Sequence, residues 1–214
     1  VLFFRKLNPF DPGKKPAQKK QTWELWFKVI VAIIPSGLLG VLFDDWMDAH
    51  LHNGIVVAIA LIVYGVAFIL VERANMSKKP LIGSVHAIDY KTALLIGAFQ
   101  ALSLIPGTSR SGSTILGAIL LGVSRGAGAE FSFFMAIPTM LGASAIKGLK
   151  FILSGVSASA TEIGVLIVGC IVSFVVSMVV IRGLMEYVRK HSFSAFGVYR
   201  IVLGAVVLLY FLMV

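Results

Sequence analysis

TALLIGAFQALSLIPGTSRSGSTILGAILLGV, residues 92–123, is apolar at both ends, yet its middle, PGTSRSGST at 106–114, carries one arginine among three serines and two threonines. A helical bilayer crossing takes about 20 apolar residues. This segment is too long for one tidy crossing and too polar at its centre to be an ordinary one. Pro106 and Gly107 predict a stop to a first half-helix, and Ser113 or Thr114 is expected to cap a second. That arrangement leaves exposed N–H groups and a partial positive charge at the break. Irregular backbone at membrane depth is tolerated only where protein or a water-filled cavity satisfies it, so the break is expected to line a cavity.

Outward from this segment the chain reads as an all-α, polytopic membrane protein. It has 214 residues, 58% hydrophobic and 14% charged, with a mean hydropathy of +0.94. Crossings are predicted at 29–43, 54–71, 130–148, 163–181 and 196–213. Basic residues gather at 5–28, at Arg73, Lys78, Lys79 and Lys91, at Arg125, and at Arg182, Arg189 and Lys190, whereas Asp44, Asp45 and Asp48 sit in a loop between the first two crossings. The positive-inside rule favours 92–123 dipping in and returning as a re-entrant hairpin, because a full crossing would turn the later basic loop outward. The same rule accounts for the net charge of +9 without nucleic acid as a partner. Cys170, the single cysteine, falls in an apolar run and reads as packing. The whole of 1–214 reads as one membrane domain. VLFF at 1–4, followed at once by Arg5 and Lys6, reads as the end of a crossing that begins upstream. AIIPSG at 32–37 and AIPTML at 136–141 leave a local repeat open.

The chemistry of 106–114 points to an anion. Arg110 offers a planar fork of donors that stays charged, Ser109, Ser111, Ser113, Thr108 and Thr114 offer hydroxyls, and Gly107 and Gly112 let the backbone bend towards a ligand. Joined to a half-helix N-terminus, this set suits phosphate. The competing reading pairs Arg110 with a carboxylate and spends the serines on helix ends. Intramembrane arginine more often marks a functional pathway.

IGAFQALSLIPGTSRSGSTILGAILLG at 96–122, followed by EFSFFMAIPTMLGASAIKGL at 130–149, resembles the signature half of the bacterial undecaprenyl-diphosphate phosphatase family, known also for bacitracin resistance. The resemblance implies hydrolysis of undecaprenyl diphosphate to undecaprenyl phosphate and phosphate in the bacterial plasma membrane, recycling the lipid carrier of cell-wall synthesis. Carried over by position, Arg110, Ser109 and Thr114 are the expected catalytic residues, and Gly107, Thr108, Ser111 and Gln100 the expected substrate-binding ones. The family's other motif, glutamates followed by Pro-Val-Ser-Ser-Thr-Gly-His, is absent from these residues and is expected just upstream of Val1. The family fold is an inverted repeat, each half a re-entrant hairpin followed by three crossings. A divalent cation, Mg or Ca, is expected to bridge diphosphate and carboxylates, with no ligands identifiable in this chain. Membrane lipids and the polyprenyl diphosphate are the expected partners, and the oligomeric state is left open, a homodimer included.

Other polar residues read as ordinary. Glu130 suits a helix start. His50 and His52 beside the aspartates form no regular metal frame. His86 with Asp89 reads as interfacial hydrogen bonding, His191 as part of a headgroup-facing loop, and Trp23, Trp26 and Trp46 as an aromatic belt. The rival function is a transporter or flippase for an anionic lipid or small anion, since broken helices and a midplane arginine suit that too.

Overall fold

The computed structural model describes residues 3–75, 78–155 and 158–213; Val1 and Leu2 of the VLFF stretch lie outside them. The described chain is helical: α1 Phe4–Leu7, α2 Pro16–Leu51, α3 Gly54–Asn75, α4 Tyr90–Ala101, α5 Arg110–Leu120, α6 Arg125–Leu153, α7 Ala160–Lys190 and α8 Ser194–Met213. Five of these are long and apolar enough to cross a membrane: Pro16–Phe43 of α2, α3, α6, Ala160–Val188 of α7, and α8. The chain is thus an all-α, polytopic membrane protein, with the five expected crossings in order.

The helices outrun their apolar cores. α2 starts with Pro16 at its first position, where the missing N–H costs nothing. It ends only at Leu51, so Asp44, Asp45, Asp48 and His50 lie on its last turns and not in the loop expected there. Arg182, Arg189 and Lys190 likewise belong to α7. Hydropathy marks where a helix meets lipid, whereas helical hydrogen bonding continues until a cap or breaker ends it. Cys170 sits on an exposed face of α7 and packs no core.

Pro35 and Pro138 both lie inside helices that run on through them. Each is followed by a hydroxyl that bonds back to a helix carbonyl: Ser36 Oγ to Ile33 O at 3.1 Å, and Thr139 Oγ1 to Met135 O at 2.8 Å.

Between α3 and α6 the chain forms a helical hairpin. α4 and α5 are 12 and 11 residues long, joined by a 3₁₀ turn at Leu102–Leu104 and an irregular stretch to Ser109. The two ends of the hairpin meet. Ile82 bridges Val123, with Leu81 N and Ile82 N donating to Gly122 O at 2.9 and 3.1 Å and Ser124 N donating to Ile82 O at 2.8 Å. The backbone therefore goes out along α4 and returns along α5 to its starting level.

Helices in lipid associate by close fit, because lipid tails are as apolar as leucine. Small residues make that fit here. A Cβ on Gly97 of α4 would collide with the Ala32 carbonyl of α2, and one on Gly117 of α5 with the Phe99 ring of α4. α3 and α8 run antiparallel, with Gly65 against Gly197 and Ala58 against Gly204; a Cβ on Gly197 would lie 2.7 Å from Gly65 O. Phe131, Phe134 and Met135 of α6 pack with Leu25, Val29 and Ile96 on one side of the hairpin, and Phe68, Met185 and Phe193 pack with Ile115 and Ile119 on the other.

Candidate active site

The hairpin tip is built by short-range bonds that the sequence dictates. Pro106 ends the helical run, and Gly107 turns the chain at φ +93°, a conformation that excludes a side chain without strain. A Cβ there would also lie 2.6 Å from Val57 O of α3. Thr108, fully buried, folds its hydroxyl back onto Ile105 O at 2.8 Å and Leu102 O at 3.1 Å. Ser109, at φ +68°, caps α5: its Oγ accepts from Gly112 N at 3.3 Å, and its carbonyl accepts from Ser113 N at 2.9 Å.

The cap is therefore Ser109, four residues before the nearer of the two expected caps, Ser113 and Thr114. The helix begins at Arg110, so Ser113 and Thr114 lie within it. Thr114 Oγ1 donates to Arg110 O at 2.8 Å, and Ser113 Oγ is buried with no partner among the described residues.

This leaves a concentrated demand for negative charge. Arg110 and Ser111 occupy the first two positions of α5, and among the described residues neither backbone N–H has an acceptor. The Arg110 guanidinium is half-buried and makes no hydrogen bond or ion pair among the described residues. Ser109 is exposed and Ser111 partly so. A helix N-terminus, two free N–H groups and an unpaired guanidinium together favour a phosphate group. The reading in which Arg110 pairs with a carboxylate finds no carboxylate to pair with among the described residues.

Depth follows from α3. The tip packs on Val57 and Ala60, while Arg125, just past the base of the hairpin, holds Glu72. Twelve residues of helix separate Ala60 from Glu72, about 18 Å at 1.5 Å per residue. The tip thus stands beside the first two turns of α3, far along the helix from the hairpin base.

Gln100 lies on α4, before the tip. It is fully buried, and its Nε2 donates to Ser36 Oγ of α2 at 2.9 Å, a bond that ties α4 to α2. Glu130, 7% exposed, accepts from Lys6 Nζ at 2.7 Å. A cleft of about 1070 Å³ lies at the opposite end of the hairpin from Arg110, lined by Lys6, Lys78, Lys79, Arg125 and Glu130 among others.

Two charged residues were not anticipated. Arg200 of α8 donates through Nη2 to the Gly107 carbonyl, and its Nε is buried without a partner among the described residues. Glu72 of α3, 1% exposed, receives Arg125 Nε at 2.8 Å and Arg125 Nη2, and also accepts from Phe193 N at 3.1 Å. Arg200 is a lone charge inside an apolar run, which is itself the available signal, whereas Glu72 stands beside Arg73 at the end of one.

No group of three His, Cys, Asp or Glu gathers to hold a metal among the described residues. The loop offers guanidinium, hydroxyl and N–H and lacks the carboxylates that Mg or Ca prefers.

A family profile for the bacitracin resistance protein BacA matches residues 1–206. The chain belongs to that family. Relatives of this family member include the undecaprenyl-diphosphatase of Limosilactobacillus fermentum, 56% identical over 211 residues that cover 99% of this chain and 76% of that protein. Undecaprenyl-diphosphatase 1 of Clostridioides difficile is 59% identical over 99% of this chain and 75% of its own length. The undecaprenyl-diphosphatase of Streptococcus equi subsp. equi is 51% identical over 98% and 75% respectively.

Proposed function

We propose that this protein is a polyprenyl-diphosphate phosphatase: it hydrolyses undecaprenyl diphosphate to undecaprenyl phosphate and inorganic phosphate in the bacterial plasma membrane, and the hairpin tip is where the diphosphate binds. The observation that carries the reading is the unpaired Arg110 at the start of α5, where the first two backbone N–H groups have no acceptor among the described residues. The high identity to proteins named undecaprenyl-diphosphatase supplies the substrate.

In the reaction the oxygen of water ends up on the terminal phosphorus, the P–O anhydride bond breaks, and the bridging oxygen leaves with the lipid phosphate. Phosphoryl transfer asks the protein chiefly for in-line placement and neutralisation of charge on the transferred group. Arg110 meets the second need with two parallel N–H donors. The N–H groups of Arg110 and Ser111 add the helix-terminal field. Ser109, exposed beside them, lies next to the incoming phosphate. Thr108 and Thr114 act on the loop, since their hydroxyls are already committed to carbonyls. Gly107 shapes the turn.

The hairpin returns to its starting level, and the basic residues flanking it match those of the other inward-facing ends. These two facts support a re-entrant insertion, with the diphosphate at the tip and the isoprenoid tail among the apolar helices in lipid.

The test is product analysis. The complete protein in detergent, given farnesyl or undecaprenyl diphosphate, is expected to yield the corresponding monophosphate and one phosphate per molecule consumed. Translocation of the lipid across proteoliposomes without any monophosphate would favour the transporter instead.

A further inference from the structure

Arg200 lies six residues into α8, about 9 Å along a helix of about 30 Å. A guanidinium at such depth is expensive, and it is usually satisfied by a charged partner or by backbone carbonyls. Arg200 has no carboxylate partner among the described residues. Its one hydrogen bond among the described residues is to the carbonyl of Gly107, the residue at which the loop turns.

The helix that carries Arg200 is fixed in register. Gly197 and Gly204 flank it, each so close to α3 that a Cβ would lie 2.7 Å from Gly65 O and 2.8 Å from Ala58 O. The Gly107 turn rests on Val57 and Ala60 of the same α3. The loop is thus held between a backbone wall on α3 and a guanidinium on α8, and nothing else described grips the Gly107 carbonyl.

We propose, resting on the phosphatase reading, that Arg200 is the positioning residue of the anion loop. It holds Gly107 in its positive-φ turn, so that Ser109, the Arg110 guanidinium and the free N–H groups of α5 converge on the terminal phosphate. The Arg200 guanidinium, with no carboxylate partner among the described residues, adds a second positive charge at the loop, which matches a diphosphate better than a monophosphate. Electrostatic placement of this kind is sensitive to geometry: a misplacement of about 1 Å costs roughly 100-fold in rate.

The experiment compares wild type, Arg110→Ala, Arg200→Ala and Arg200→Lys as complete proteins in detergent. The readouts are kcat and KM for farnesyl diphosphate per mole of folded protein, and the rise in melting temperature caused by inorganic pyrophosphate. Arg200→Ala is expected to lower kcat/KM by about 30- to 100-fold. Arg200→Lys, which keeps the charge and loses the planar fork, is expected to lose about tenfold. Millimolar guanidinium is expected to restore part of the activity of Arg200→Ala, which a merely structural role would not allow.

If Arg200→Ala folds poorly, Arg200→Lys decides. A kcat/KM within twofold of wild type for the folded variants overturns the proposal, as does a loss that follows folded yield alone. If wild type releases no phosphate, the phosphatase reading fails by itself. Pyrophosphate stabilisation then judges Arg200: equal in wild type and Arg200→Ala, it overturns the proposal, and lost in the variant, it sustains it.

Discussion

Gly107→Ala is the most economical probe of the hairpin tip. The added Cβ would lie 2.6 Å from Val57 O, about 0.8 Å inside the 3.4 Å at which ordinary contact begins. The backbone sits at φ +93°, where a side chain costs about 1–3 kcal/mol. Neither neighbour yields readily, because Val57 O is helix backbone and Arg200 holds the Gly107 carbonyl from the other side. The cheapest relief is a shift of the loop by most of an ångström, which loosens a charge-assisted hydrogen bond worth about 1.5–3 kcal/mol. Such a shift moves Ser109 and Arg110 off the phosphate and is expected to lower kcat/KM about 100-fold. The assay is phosphate release from farnesyl diphosphate at matched folded protein. Gly142→Ala serves as the control, since a Cβ at Gly142 meets nothing within 4 Å. A Gly107→Ala enzyme within twofold of wild type would refute the argument that the turn sets the site.

Three further outcomes follow from the structure. Arg125→Ala strands the buried Glu72 carboxylate and is expected to cost about 3 kcal/mol, the low end for a broken buried pair because Arg125 keeps a side-chain exposure of 36%. A thermal melt should then show Arg125→Ala with Glu72→Gln more stable than Arg125→Ala alone. Gln100→Leu removes the bond to Ser36 and is expected to lower the melting temperature by a few degrees, as about 1 kcal/mol does in a chain of this size; a tenfold rise in KM at unchanged melting temperature would instead put Gln100 on the substrate. His86, in the loop before α4, has its pKa lowered, first by burial and then by Lys6, with Lys28 and Lys14 adding to the effect and Glu130 opposing it. The folded state thus takes up a proton less readily than the unfolded one, so stability is expected to fall as pH drops below the ordinary histidine value of about 6.5. His86→Leu should flatten that part of the melting profile between pH 7 and 5.5, and an unchanged slope would contradict the assignment.

The sequence makes the crossings legible because lipid contact demands long apolar runs, and it makes the loop legible because Pro-Gly followed by Ser-Arg-Ser has few other uses at that depth. Helix ends were harder to read: α2 continues through Asp44, Asp45 and Asp48 because hydrogen bonding, unlike hydropathy, does not stop at the membrane edge. The cap fell on Ser109 and not on Ser113 or Thr114, since Ser109 adopts the positive φ that lets its hydroxyl reach Gly112 N. Arg200 and Glu72 escaped notice because each partner is distant in sequence, 93 residues for Gly107 and 53 for Arg125. Only the packing of α3 against α8, and of the hairpin base against α3, brings them together. The lone Arg200 within an apolar run is the trace that its pair leaves in the sequence.

The central claim is that Arg110 at the start of α5 holds the phosphate that is cleaved. Its most direct test is phosphate release from undecaprenyl diphosphate by the complete wild-type protein and by Arg110→Ala, in lipid, at equal amounts of folded enzyme. The account predicts brisk release by wild type and a loss of about 1000-fold in the variant, the scale expected when a preorganised charge-stabilising donor is removed. Release by Arg110→Ala within tenfold of wild type would contradict it.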